Sequence, residues 1–182
     1  MIKELKVAIF GGSFNPPHLA HQLIAKKVVE ELDIDLLIIL PAYQNPLKNR
    51  SSASPQQRLQ WCKDVFSDKK IEVSSYEIDN KILYTYQSLE YFNKIYDTKY
   101  LIIGADNLKD LAKWRNFEWI NDTITWIVFT RDEICLDTSL LKRYKVIKID
   151  MPISSTKIRE NGDLIYIDEK IKQSVKTQLE GK

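Results

Sequence analysis

Six short runs of mostly apolar residues recur along the chain, at positions 7–10, 36–40, 71–73, 100–103, 124–129 and 146–149. Continuous apolar runs of this length are typical of strands that are buried on both faces of a parallel sheet. The pattern therefore predicts about five to six parallel strands.

Helical periodicity separates several of these runs. Apolar residues follow helical spacing at positions 19, 23, 24, 28 and 32, again at 59, 62, 65 and 66, and at 171, 175 and 179. Ser54 and Gln57 have capping-box spacing at the start of the second helix. The alternation predicts an α/β fold: a single Rossmann-like, doubly wound parallel sheet with helices on both faces and ligands at the carboxyl ends of its strands.

Composition narrows the class of protein further. A chain of 182 residues has the size of one domain, and we expect a single domain over residues 1–182. The net charge of +2 disfavours a nucleic-acid-binding surface. No targeting signal or membrane-spanning apolar run is evident, and Cys62 and Cys135 have isolated positions. We therefore expect a cytoplasmic protein without a membrane partner, in which both cysteines are structural thiols.

The segment 11–21, GGSFNPPHLAH, lies between the first predicted strand and the first predicted helix. A strand-to-helix turn of this kind binds phosphate groups in α/β sheets. Gly11 and Gly12 permit positive φ and close approach of a phosphate to the backbone. The dinucleotide fingerprint and the P-loop pattern are both absent, and the turn instead carries His18 and His21, the only histidines of the chain.

Three interpretations of the histidine pair are open. The rings could be satisfied core or capping groups, although this does not explain why both follow a glycine-rich turn. They could ligate a metal, but a metal site needs a third and usually a fourth ligand, and no further histidine exists. They could also donate hydrogen bonds to the oxygens of a reacting phosphate, which is the stabilisation that phosphoryl and nucleotidyl transfer requires.

The segment 153–159, ISSTKIR, follows the last predicted strand. Ser154, Ser155 and Thr156 resemble the start of a short helix that ends at Asn161-Gly162, so their hydroxyl and N–H groups could hold an anion. Arg159 lies about one turn further on and can reach the same anion. The alternative is an ordinary helix cap with a solvated Lys157 and Arg159. Its place after the last strand predicts that this segment lies beside the histidine turn.

Together these residues resemble the nucleotidyltransferase superfamily that joins a mononucleotide to ATP. Its G-x-F-x-P-x-H-x-G-H signature is matched by Gly12, Phe14, Pro16, His18 and His21, and its I-S-S-T-x-I-R segment by residues 153–159. Within the superfamily the chain looks most like the bacterial nicotinate-nucleotide adenylyltransferase family over nearly its full length. The other matching segments are Pro46-Leu47-Lys48, Tyr84-Thr85 with Ser88-Leu89, and Gly104-Ala105-Asp106 with Trp114.

The resemblance implies transfer of an adenylyl group from ATP to nicotinate mononucleotide, which yields deamido-NAD and pyrophosphate. It implies Mg²⁺ that arrives with ATP and needs no dedicated protein site, and it leaves a homo-oligomer open. The implied catalytic residues are His18, His21, Lys48 and Arg159. The implied ATP-binding residues are Gly11, Gly12, Ser13, Phe14, His18, His21, Gly104, Asp106, Ser154, Ser155, Thr156 and Arg159. The implied acceptor-binding residues are Lys48, Tyr84, Thr85, Trp114 and Arg115.

The chain departs from the family pattern at a few positions. Asn15 replaces a common Asp, Ala20 replaces Gly, Leu83 replaces a common Ser, and residues 131–133 replace Arg-Pro-Gly. Structural interpretations also remain: Asp106 could cap a helix, Trp114 could be a core residue, and Trp61, Trp119 and Trp126 are expected in the core.

Other functions are kept as alternatives. The acceptor could be nicotinamide mononucleotide, phosphopantetheine or another phosphorylated compound. The protein could sense ATP without turnover, or it could be a metal hydrolase.

Overall fold

A single six-stranded parallel sheet organises the chain. The computed structural model describes residues 5–47, 51–130 and 136–181. Within them the strand order is β3-β2-β1-β4-β5-β6, and every pairing is parallel. The strands are β1 (Lys6–Gly12), β2 (Leu36–Pro41), β3 (Ile71–Val73), β4 (Asp97–Gly104), β5 (Thr125–Thr130) and β6 (Tyr144–Lys148). Each corresponds to one of the six apolar runs, so the predicted parallel α/β sheet is confirmed.

Helices connect the strands. They are α1 (Leu19–Glu31), α2 (Pro55–Val65), α3 (Tyr76–Asp79), α4 (Thr85–Phe92), a 3₁₀ helix (Ala105–Lys113), α5 (Phe117–Thr123), α6 (Ser155–Asn161) and α7 (Glu169–Glu180). The predicted cap of α2 is present, because Ser54 Oγ accepts a hydrogen bond from Gln57 N over 3.1 Å. Helix α6 ends as predicted at Gly162, whose φ of 66° is the left-handed conformation that glycine adopts without strain.

Two hydrophobic cores lie on opposite faces of the sheet. Ala8 and Phe10 of β1 contribute to one core, which contains apolar residues of α1, α2, α6 and α7. Val7 and Ile9 contribute to the other core, with residues of α4, the 3₁₀ helix and α5. Successive side chains of a strand point to opposite faces, so this division follows from the strand geometry. Helices on both faces confirm the doubly wound, Rossmann-like architecture.

The strand order reverses between β1 and β4. In open parallel sheets ligands bind outside the carboxyl ends of the strands at this kind of switch point. The two strands end in glycines, Gly12 in β1 and Gly104 in β4. This edge of the sheet is therefore where the fold itself favours a binding site.

Some expectations about individual side chains are wrong. Trp61 and Trp126 are buried as expected, but Trp119 is 39% exposed because its position on α5 faces solvent. On α2 the buried positions are Arg58, Trp61, Cys62 and Val65, whereas Leu59 is only partly buried. Cys62 is a buried free thiol, and burial raises its pKa. The other cysteine, Cys135, lies outside the described residues.

A helix that spans a lipid bilayer must be long and almost entirely apolar. Among residues 5–47, 51–130 and 136–181, no helix combines the length and the apolar character that a membrane span needs.

Candidate active site

A cavity of about 1100 Å³ lies at the carboxyl ends of β1 and β4. Nearly all the site residues predicted from the sequence line it: Gly11, Gly12, Ser13, Phe14, His18, His21, Tyr84, Thr85, Gly104, Asp106, Trp114, Arg115, Ser154, Ser155, Thr156 and Arg159. Lys48, which was assigned to both catalysis and acceptor binding, lies outside the described residues. The structure thus brings together segments that are far apart in the sequence.

The positive φ that the first two glycines permit is not used in the first turn. Gly11 and Gly12 belong to β1, and Gly162 is the glycine with positive φ among the described residues. The left-handed residue of the turn is instead Phe14, with a φ of 45°. A Cβ at Gly12 would lie 3.2 Å from the Phe14 ring, whereas a Cβ at Gly11 would contact nothing within 4 Å. Gly12 therefore leaves room for the buried Phe14 ring.

The two imidazole rings are stacked on each other. Their centroids are 3.7 Å apart, and the backbone N–H of His18 donates to Nδ1 of His21 over 3.2 Å. His18 is the N-cap residue of α1 and is not itself helical, and His21 lies in the first turn. Because Nδ1 of a neutral His21 accepts this bond, its proton resides on Nε2. The pair thus places a defined ring donor at the wall of the cavity.

Helix α6 contacts the turn that precedes the histidines. Ser155 Oγ donates to the carbonyl oxygen of Pro16 over 2.8 Å, and Arg159 Nη1 donates to that of Asn15 over 2.6 Å. The same guanidinium donates to Thr156 Oγ1 over 3.2 Å, and Ser154 Oγ caps the helix by accepting from Lys157 N. The predicted proximity of the two segments is therefore realised by direct hydrogen bonds.

Asn15 fixes a second connection of the turn. Its Oδ1 accepts from Ala53 N over 3.2 Å and from Ser52 Oγ over 3.1 Å, just before α2. Both groups are donors, so the position requires an acceptor oxygen rather than a negative charge. The Asn in place of the family's common Asp preserves that acceptor.

The far side of the cavity is aromatic and polar. Tyr84 and Thr85 lie at the start of α4, where backbone N–H groups have no partner within the helix. The Arg115 guanidinium lies 5.2 Å from the centroid of the Tyr84 ring, a cation–π contact. Trp114 lines the cavity and also packs edge-to-face on Trp126, with centroids 6.0 Å apart. The position of Trp114 is therefore compatible both with a packing role against Trp126 and with contact to a ligand in the cavity.

Asp106 is not the N-cap residue that one interpretation supposed. The N-cap position of the 3₁₀ helix is Gly104, and Asp106 lies in the first turn of that helix. A Cβ at Gly104 would lie 2.4 Å from Oδ1 of Asp106. The carboxylate therefore lies directly over the end of β4, which explains the glycine there.

Two buried ionisable groups were not identified from the sequence: Glu77, which lines the cavity, and Arg58, which is not among its lining residues. Glu77 accepts from Ser88 Oγ over 2.7 Å and from the backbone N–H of Tyr43, and burial raises its pKa to about 7. Arg58 is 1% exposed. The neighbouring Gln57 and Gln60 make Arg58 resemble a surface residue in the sequence, although its spacing to Trp61, Cys62 and Val65 places it on the buried face. Residues 58, 61, 62 and 65 are one helical stripe, which is the signal that could have revealed it.

A metal ion held by the protein alone needs at least three converging ligands. Within residues 5–47, 51–130 and 136–181, no group of three His, Cys, Asp or Glu side chains converges in a way that could hold a metal ion.

Comparisons with known proteins agree with this geometry. The cytidylyltransferase-like family model matches residues 9–161. A protein of Sulfurovum sp. (strain NBC37-1) named "Probable nicotinate-nucleotide adenylyltransferase" is 54% identical over 186 residues, covering 100% of this chain and 99% of that protein. A protein of the same name from Campylobacter fetus is 40% identical, covering 94% of each chain.

A solved structure has the same fold. The structure titled nicotinic acid mononucleotide adenylyltransferase of Plasmodium falciparum, complexed with NaAD, has a TM-score of 0.71 at 20% identity. The match covers 86% of this chain and 83% of that one. From the family model and the full-length relatives, the chain belongs to the cytidylyltransferase-like family and, within it, to the nicotinate-nucleotide adenylyltransferases.

Proposed function

We propose that this protein transfers the adenylyl group of ATP to nicotinate mononucleotide. A 5′-phosphate oxygen of the mononucleotide attacks the α-phosphorus, a new P–O bond forms, and the bond to the β-phosphate bridging oxygen breaks. The products are deamido-NAD and pyrophosphate. The observation that carries the proposal is the convergence of the stacked histidines and α6 on one turn and one cavity.

The histidines stabilise charge rather than remove a proton. The second pKa of a phosphate monoester is about 6, so the attacking group is already largely ionised at neutral pH and needs no general base. His18 and His21 then donate hydrogen bonds to the oxygens of the α-phosphoryl group, whose negative charge is redistributed in the transition state.

The ATP side of the cavity combines the first turn with α6. Main-chain groups of Gly11 to Phe14 and the start of α6 face the phosphates, and Arg159 adds a positive charge. Gly104 and Asp106 hold the nucleoside portion at the end of β4. ATP would enter as its Mg²⁺ complex, in which the metal is part of the substrate and would offset the charge of the phosphates. The resemblance adds Lys48, which lies outside the described residues, to the groups that would hold the phosphates.

The acceptor lies on the side of Tyr84 and Trp114. Trp114 stacks on the pyridine ring, and the N–H groups near Thr85 and Arg115 bind its carboxylate. A site built to donate to a carboxylate discriminates against an amide because its donors would face an NH₂ group. The Arg115 charge over the Tyr84 ring favours the same anionic acceptor.

The test is product identification. Purified protein is incubated with Mg²⁺, ATP and either nicotinate or nicotinamide mononucleotide, and the dinucleotide and pyrophosphate are measured by mass. We expect deamido-NAD and a higher kcat/KM for nicotinate mononucleotide. A preference for the amide would reassign the acceptor, and ATP binding without pyrophosphate release would make the protein an ATP sensor.

One domain over residues 1–182 and a cytoplasmic location are part of the same proposal.

A further inference from the structure

Arg58 is a buried cation that the proposed reaction leaves unexplained. Its side chain is 1% exposed, and it lies on α2, behind the wall of the cavity. Its Nη1 donates to the carbonyl oxygen of Ser13 over 2.7 Å, and its Nη2 donates to that of Tyr43 over 2.9 Å. One guanidinium therefore joins the turn after β1 to the loop after β2.

Further contacts reinforce this junction. Ala42 N donates to the carbonyl oxygen of Gly12 over 2.9 Å, and the N–H of Tyr43 donates to the buried carboxylate of Glu77. Tyr43 is thus bound at both its N–H and its carbonyl, by a buried carboxyl group and a buried cation. Arg58 and Glu77 together fix the position of this peptide segment against the first turn.

The turn between β1 and α1 has a wider pattern of occupied carbonyls. The carbonyl oxygens of Ser13, Asn15 and Pro16 each accept from a side chain, Arg58, Arg159 and Ser155 respectively. A carbonyl oxygen that faced a triphosphate would repel it, because the oxygen carries a partial negative charge and the triphosphate carries full negative charges. In a planar trans peptide the carbonyl and the following N–H point in opposite directions. Holding Ser13 O toward Arg58 therefore directs the N–H of Phe14 to the opposite side of that peptide.

We propose that Arg58 is a positioning residue for adenylyl transfer, which it serves by holding the carbonyls of Ser13 and Tyr43. The inference rests on the proposed function, in which that turn receives the phosphates. Arg58 is not among the residues that line the cavity, so it acts through the two carbonyls rather than on a substrate. It fixes the distance between the phosphate side of the cavity and the loop after β2, and it supplies a positive charge beneath the turn.

Geometry explains why the residue is arginine. The guanidinium is a rigid planar fork that satisfies two acceptors at fixed positions and keeps its charge when buried. A lysine ammonium is a single point of donation on a flexible stem and cannot hold both carbonyls in the same arrangement. Substitution by lysine therefore separates the charge of Arg58 from its bridging geometry.

The experiment compares Arg58→Lys and Arg58→Met with a charge-matched control. Lys63→Met removes one positive charge from an exposed position of the same helix. Each protein is assayed for kcat and for the KM of Mg·ATP and of nicotinate mononucleotide. The folded fraction is determined by circular dichroism and by urea unfolding, and kcat is expressed per folded molecule.

We expect Arg58→Met to lower kcat/KM by about 10²-fold per folded molecule, since misplacement by about 1 Å has an effect of that size. Arg58→Lys should recover only part of this loss, and Lys63→Met should stay within about twofold of the unmodified protein. The proposal would be overturned if both Arg58 variants kept an unchanged kcat per folded molecule and an unchanged KM. Failure of both to fold would overturn it as well, because it would make the role of Arg58 one of stability alone. If the unmodified protein forms no dinucleotide, the proposed function fails instead.

Discussion

The backbone N–H of His18 and the Nδ1 atom of His21 form a 3.2 Å hydrogen bond, and the two rings stack with their centroids 3.7 Å apart. Each histidine thus fixes the other at the entrance of α1. The pair acts as one unit, so its members are not independent donors.

Loss of His18 should reduce turnover more than ATP binding, because its proposed role is to stabilise charge in the transition state. We expect His18→Ala to lower kcat by about 10²–10³-fold, the usual cost of removing one oxyanion donor. The affinity for ATP, measured by calorimetry with a non-reactive analogue, should change by less than about threefold, because other groups hold the triphosphate. Full turnover in this variant would refute a catalytic imidazole.

Trp114 and Trp119 offer a matched pair for the acceptor site. Trp114 lines the cavity, whereas Trp119 is exposed on α5 and is not among the residues that line it. Trp114→Leu should raise the KM for nicotinate mononucleotide about tenfold, because a ring stack contributes roughly 0.5–1.5 kcal/mol beyond its buried area. The KM for Mg·ATP should remain unchanged. Trp119→Leu should alter neither constant, and equal effects of the two changes would argue against stacking.

Asn15 should tolerate Asp but not Ala. Its Oδ1 accepts from Ser52 Oγ and from Ala53 N, and a carboxylate oxygen can do the same. We expect Asn15→Asp to keep kcat/KM within about threefold. Asn15→Ala leaves the buried N–H of Ala53 without its acceptor, which should lower the free energy of unfolding by about 1–3 kcal/mol. Urea unfolding of both variants, together with the dinucleotide assay, measures these outcomes.

Glu77 should make the stability of the protein depend on pH. Burial raises its pKa from 4.5 to about 7, so the folded state holds the proton over a range in which the unfolded state has lost it. Its contribution to stability is fully present below about pH 4.5 and is lost as the pH rises through about 7. The loss amounts to about 3 kcal/mol, at about 1.4 kcal/mol for each pKa unit.

Unfolding by urea at several pH values between 5 and 8 tests this relation. The free energy of unfolding of the unmodified protein should fall relative to that of Glu77→Gln as the pH rises. Glu72→Gln removes one carboxylate from an exposed position on β3 and serves as the control. Parallel pH profiles for the unmodified protein and Glu77→Gln would show that Glu77 is ionised in the folded state throughout.

The fold was accessible from the sequence because strands buried on both faces leave a simple signal. Each of the six strands is a run of apolar residues, and Ser54 and Gly162 mark helix ends by well-defined local chemistry. The approach of residues 153–159 to the histidine turn was predicted from the place of this segment after the last strand. These features depend on local patterns and on one topological rule.

Individual side chains were less accessible because their environment is set by distant segments. An arginine is typical of the surface in a sequence, yet the Arg58 guanidinium is buried and donates hydrogen bonds to the carbonyls of Ser13 and Tyr43. Trp119 was expected in the hydrophobic core, but it lies on the exposed face of α5. The left-handed residue of the first turn is Phe14 rather than a neighbouring glycine, and Gly12 leaves room for its ring. No local spacing encodes these contacts.

The bonds from Ser155 and Arg159 to the carbonyls of Pro16 and Asn15 have a consequence for the order of synthesis. A nascent chain that has reached residue 130 already contains both imidazoles and five of the six strands. It still lacks α6, whose Ser155, Thr156 and Arg159 line the cavity. Ribosome-bound intermediates would therefore be unable to consume ATP, and competence would arise only as translation nears completion.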